Sequence, residues 1–98
     1  MNLVKEFEAL TLTLKLEELA KECEKINKTI GNLPIVLFPE LRKREIELME
    51  EEFKLETQLY EIYLELADEH RVKCILDAQA CTEEAIRLAK TGSTMYVN

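Results

Sequence analysis

The chain has no tryptophan, and only two glycines, two prolines and two aspartates in 98 residues. Small β-sandwiches and barrels use glycine, proline and aspartate at every chain reversal, so this scarcity excludes them. With one histidine, His70, the facing Glu-x-x-His motifs of a carboxylate-bridged metal centre cannot be assembled, and no Ser-His-Asp or Cys-His pairing can be argued. There is no Cys-x-x-Cys pair and no glycine-rich phosphate loop. The expectation is therefore no metal, no cofactor and no catalytic residue. No apolar run reaches the 18 residues that a membrane-crossing helix needs. Three cysteines, an odd number, with no secretory leader point to the reducing cytoplasm.

Glutamate fills the space that is left. The chain holds 18 Glu, 20 acidic residues against 13 basic ones, and a formal net charge of −7. Glutamate keeps its rotamer freedom in a helix whereas aspartate competes with the backbone, so the composition predicts an all-α fold. Residues 1–98 read as a single helical domain. The acid is concentrated in residues 39–70, which carry eleven acidic and four basic groups. Nucleic-acid backbones and anionic membranes require clustered lysine and arginine, so direct binding to either is disfavoured.

The chain is organised around Glu45 to Glu69. At about 100° per residue, Met49, Phe53, Tyr60, Tyr63 and Ala67 form one stripe, and Leu48, Leu55, Leu59, Ile62 and Leu66 form a second beside it. A helix with one neighbour shows a stripe of about 100°, so this one requires two neighbours. The arc left over carries Glu47, Glu50, Glu51, Lys54, Glu61, Glu65 and Glu69, the expected meeting surface for a basic protein partner. Glu45, Glu52 and Glu56 fall inside the apolar arc, with His70 on the same meridian. They are expected to snorkel between the two seams or to pair with a neighbouring subunit.

Toward the N-terminus two stripes oppose each other. Leu3, Phe7, Leu10 and Leu14 lie on one side, and Leu12, Leu16, Leu19, Cys23, Ile26 and Ile30 on the other. This conflict predicts a short helix over about 2–10, a break near Thr11 to Thr13, and a second helix over 13–30. Gly31 followed by Pro34 marks a firm stop. The apolar stretch Leu33 to Phe38 reads as a plug for the end of the bundle. Pro39 and Glu40 suit a helix start, and no glycine or proline then occurs before Gly92. A straight helix over 39–90 would be about 78 Å long, so bends are expected near 68–72 or at Thr82, or else other subunits must cover it. Cys74, Ala78, Cys81, Ala85 and Leu88 read as a small-residue packing face, ahead of a tail over 92–98. The fold expected is a helical hairpin with a long second helix, packed as a bundle in a homo-oligomer.

Three function classes follow. The first is a small acidic non-catalytic protein that self-associates and binds a macromolecular partner, as an inhibitor or adaptor. The second is an oligomeric holder of a small anionic, nucleotide-like ligand, for which Arg42, Lys43, Arg44, Arg71, Lys73 and Arg87 are the candidates. The third comes from Glu65-Leu66-Ala67-Asp68, which resembles the Glu-x-x-Asp motif of the all-α nucleotide pyrophosphohydrolases. That resemblance covers four residues and implies magnesium-dependent cleavage of nucleotides. The family's Glu-Glu-x-x-Glu motif is not matched, since Glu17 and Glu18 are followed by Lys21 where a carboxylate is needed.

Overall fold

The computed structural model describes residues 2–31 and 38–91, and among these all regular structure is helical. The elements are α1 (Leu3–Ile30), α2 (Pro39–Glu65) and α3 (Glu69–Lys90). The apolar stretch over 32–37 and the tail over 92–98, both named above, lie outside the described residues. Each helix begins and ends on an identifiable local signal. Asn2 Oδ1 accepts the Lys5 backbone N–H at 3.1 Å and caps α1. Gly31 closes it at φ 59 with its N–H on the Asn27 carbonyl at 2.8 Å, as the sequence indicated. Pro39 stands in the first turn of α2, where a missing N–H costs nothing.

α1 is one unbroken helix of 28 residues, so the break expected at Thr11 to Thr13 is absent. Neither threonine caps a helix. Thr11 and Thr13 turn their hydroxyls onto the carbonyls of Phe7 and Ala9, at 3.0 and 2.8 Å, and stay within the helix. The two opposed stripes are both real, and only one of them is buried.

The expected 39–90 helix is two helices. The chain reverses at Leu66, Ala67 and Asp68, at the edge of the 68–72 segment, and Thr82 lies inside continuous α3. The Asp68 N–H reaches the Tyr63 carbonyl at 3.1 Å, and the Ala67 N–H reaches Leu64 at 3.0 Å. That is the paired bonding of a Schellman stop, with Ala67 in the left-handed position at φ 55 that glycine usually takes. Asp68 then caps α3 by accepting the Arg71 N–H at 3.0 Å.

The three helices run up, down and up, with α2 in the middle, and α1 and α3 antiparallel to it on either side. The two neighbours that α2 requires thus come from its own chain. Ala9, Leu12, Leu55, Leu59, Ile62, Tyr63 and Ile75 form the main core. A second cluster of Ile26, Ile30 and Leu48 sits at the other end, where Phe38 packs against it. Gln79 fixes α3 to α2 by donating to the Phe53 carbonyl at 3.1 Å and the Thr57 hydroxyl at 2.6 Å. The molecule measures 51 × 22 × 15 Å with a radius of gyration of 15.6 Å, above the roughly 13 Å of a compact 100-residue domain. Its contacts are dominated by α1 on α2 and α2 on α3, so the α1–α3 side is open.

Candidate functional site

Two features of this slab have the character of binding surfaces. The first is the open side, where α1 and α3 stand apart over α2 and leave a cleft of about 530 Å³. Ala20, Cys23 and Asn27 line it from α1, Met49 and Glu52 from α2, and Cys81, Thr82, Ala85 and Leu88 from α3. The three in-arc carboxylates of α2 belong to this side. Glu45 is buried and pairs with buried Arg42 one turn earlier. Glu52 accepts the Cys23 thiol at 3.4 Å. Glu56, 5% exposed, accepts the Thr82 hydroxyl at 3.1 Å through Oε2, while its Oε1 has no hydrogen-bond partner among the described residues. Each of the three thus has a partner within its own chain.

Burial sets their electrostatics. The Glu52 and Glu56 carboxyls are both raised above the ordinary range, chiefly because charge is costly away from water. For Glu56 the Thr82 bond opposes the shift and the negative charge of Glu52 adds to it. The Cys23 thiol is pushed up to about 12 by its burial and by the charge of Glu52, which holds it as a neutral donor and not as a nucleophile. Cys74 and Cys81, read from sequence as core residues, are exposed. Of their small face, Cys81, Ala85 and Leu88 line the open side of the bundle, while Ala78 packs against the main core. His70 lies apart from the carboxylates, exposed in the first turn of α3 with Nε2 3.7 Å from Cys74 Sγ.

The second feature is the outer stripe of α1. Leu3 and Phe7 are each 70% exposed, Val4 67%, Leu10 56% and Leu14 51%. No other described residue covers them. Leu64 and Leu76 add exposed apolar surface near the α2–α3 turn, the end at which α1 begins. Lys5 of α1 meets Glu65 there at 2.9 Å. Arg71 ties the same end together. It bonds Glu6 at 2.8 and 3.2 Å and Asp68 at 2.5 Å, with its guanidinium 4.7 Å above the Tyr63 ring.

The basic residues considered for an anion site are dispersed and mostly engaged. Arg42 is buried with Glu45, Arg44 reaches Glu22 at 3.3 Å, Arg71 is held as above, and Arg87 pairs with Glu84. Lys43 is exposed at the start of α2, and Lys73 is exposed in α3 at the opposite end of the bundle. The carboxylates of the pyrophosphohydrolase resemblance are equally divided. Glu65 and Asp68 lie by Lys5 and Glu6, whereas Glu18 stands 13 residues further along α1, about 20 Å away. Of the acidic arc, Glu47, Glu50, Glu51, Glu61 and Glu65 are exposed on α2, while Glu69 belongs to the first turn of α3. Glu50 is paired with Lys90 at 3.3 Å, and Glu47 lies 4.0 Å from Arg44.

The class these features define, among the described residues, is an antiparallel three-helix arrangement with one open side and one apolar stripe on α1 that the other helices leave uncovered. Comparison with known proteins finds no matching family model, no similar curated protein and no similar solved structure. No helix among the described residues is long and apolar enough to cross a membrane.

Proposed function

We propose that the protein is a non-catalytic helical binding module that self-associates and acts by binding a macromolecular partner of basic character. The observation that carries this reading is the uncovered stripe of α1. Leu3, Phe7, Leu10 and Leu14 recur at spacings of four, three and four, the repeat by which two helices interlock side chains. The stripe residues and Val4 and Thr11 on one flank carry no charge, and Glu6 on the other flank is paired with Arg71 at 2.8 Å. Thr11 spends its hydroxyl on the Phe7 carbonyl, which leaves a methyl group at the seam. For two copies of a chain with a net charge of −7, this is a face on which they can approach without like-charge repulsion.

The area is adequate. These five side chains leave on the order of 600 Å² of surface per copy, so a twofold pair removes at most about 1,200 Å² from water, at the lower bound of a stable interface. Self-association is thereby assigned to α1, because α2 already has both its neighbours. The exposed glutamates of α2 face away from that seam and supply the field that draws in a basic partner.

Sedimentation equilibrium at micromolar concentration tests the reading. The native chain should sediment as a dimer or larger, and Phe7→Glu should give an 11.4 kDa monomer of unchanged helicity. A native monomer overturns the proposal.

A further inference from the structure

We propose that the stripe on α1 is occupied by a second copy of the chain running antiparallel to the first, about a twofold axis that passes between Phe7 and Leu10. This arrangement rests on the reading above, that copies meet along α1, and adds the orientation and register in which they do so.

The outer face of α1 changes character after Leu14. Leu3, Phe7, Leu10 and Leu14 are continued at the same alternation of three and four by Glu17, Lys21, Glu24 and Lys28, all exposed. One meridian is thus apolar over its first half and charged over its second. Two parallel copies lying along that meridian would set Glu17 against Glu17 and Lys21 against Lys21, and would bring two positive helix N-termini together. An antiparallel pair overlapped along the whole helix would set Leu10 against Lys21 and Leu14 against Glu17, burying apolar side chains against charged ones. An antiparallel pair centred between Phe7 and Leu10 sets Leu3 against Leu14 and Phe7 against Leu10, and sends the two charged halves away in opposite directions. Its flanks agree. Val4 faces Thr11 along one edge, and Glu6, which Arg71 holds at 2.8 Å, faces Thr13 along the other, so no like charges meet.

The surface beside the stripe is indented. A hollow of about 560 Å³ lies between Leu3, Phe7 and Leu10 of α1 and the side chains of Tyr63 and Arg71, and a second of about 390 Å³ lies on the Gln58 and Ile62 side. Phe7, 70% exposed, lines both and stands as the ridge between them. In the short antiparallel register Phe7 of the second copy comes level with Leu10, beside these hollows, so ridge meets groove on both sides of the axis.

Disulfide trapping in a background with Cys23, Cys74 and Cys81 changed to alanine tests the orientation. Along the helix, about 16 Å separates Leu3 of one copy from Leu3 of the other in this register, beyond the roughly 7 Å between Cα atoms that a disulfide spans. Leu3→Cys alone and Leu14→Cys alone should therefore give little interchain disulfide. An isotope-labelled Leu3→Cys chain mixed with an unlabelled Leu14→Cys chain should give the mixed disulfide, resolved by mass, at several-fold higher yield. Both positions are exposed, so neither substitution disturbs the core. A Leu3→Cys self-disulfide at or above the mixed yield, or dimers that trap no mixed disulfide, overturns the orientation and leaves the seam on α1 standing. Chains that sediment as monomers overturn the seam and the orientation together.

Discussion

Replacing Glu56 by methionine should stabilise the protein at neutral pH. Glu56 is 5% exposed and has one oxygen without a hydrogen-bond partner among the described residues. Methionine has a similar length and no charge. The substitution does not strand Thr82, whose single hydroxyl proton can turn to the Ala78 carbonyl 3.0 Å away. An unsatisfied buried polar group costs about 1–3 kcal/mol, so Glu56→Met should gain about that much at pH 7. For a chain of this size each kcal/mol moves Tm by roughly 4–8 °C. The pH dependence separates this cause from better packing. The carboxyl is raised above its ordinary value of 4.5 in the folded state, so the folded chain holds a proton that the unfolded chain has released. Stability therefore falls as pH rises from the ordinary value through the raised one. The gap between variant and native protein should be small near pH 4 and widen toward pH 7, followed by urea denaturation at each pH. A variant less stable than the native chain at pH 7, or a gap that does not change with pH, would refute the reasoning.

Ala67→Gly should stabilise the α2–α3 turn by about 1 kcal/mol, because Ala67 holds φ 55, a conformation that costs an L-residue about 1–2 kcal/mol and glycine almost nothing. Thermal denaturation checks it, and a loss of stability would show that the turn does not depend on that backbone conformation. Reversing Glu47, Glu50 and Glu51 to lysine should slow association with a basic partner several-fold while circular dichroism and oligomeric state stay constant. The effect should shrink at high salt, where charges screen beyond about 3 Å at 1 M. An association rate that neither the reversal nor salt alters would remove the acidic arc from partner capture.

The sequence showed most of the architecture because its signals were local. Gly31, Pro39 and the two-stripe face of α2 each have a direct backbone or packing reason, and each is where it was expected. The turn at 66–68 was only approximately placed, since its left-handed residue is Ala67, whose side chain gives none of glycine's warning. Asp68 with Arg71 three residues on was the available signal for the helix start that follows. The false break in α1 came from treating both opposed stripes as core. One helix can carry both if one stays open to solvent, and the burial of Leu12 against the exposure of Leu14 is a tertiary fact that periodicity does not contain. Glu45, Glu52 and Glu56 were visible as polar intrusions in an apolar arc. Their partners Arg42, Cys23 and Thr82 were not, because two of the three lie on other helices. Whether the second neighbour of α2 came from a fold-back of its own chain or from another subunit stayed open for a related reason: one unbroken helical pattern hid the third helix.

The central claim is that copies of the chain meet along the outer stripe of α1, and cross-linking through that stripe tests it most directly. In a background with Cys23, Cys74 and Cys81 changed to alanine, a single cysteine at Leu10 should form an interchain disulfide readily under mild oxidation, since the stripe is shared by both copies. The same cysteine at Glu61, on the exposed arc of α2, should form little. Equal cross-linking at the two positions, or none at Leu10, would contradict the account.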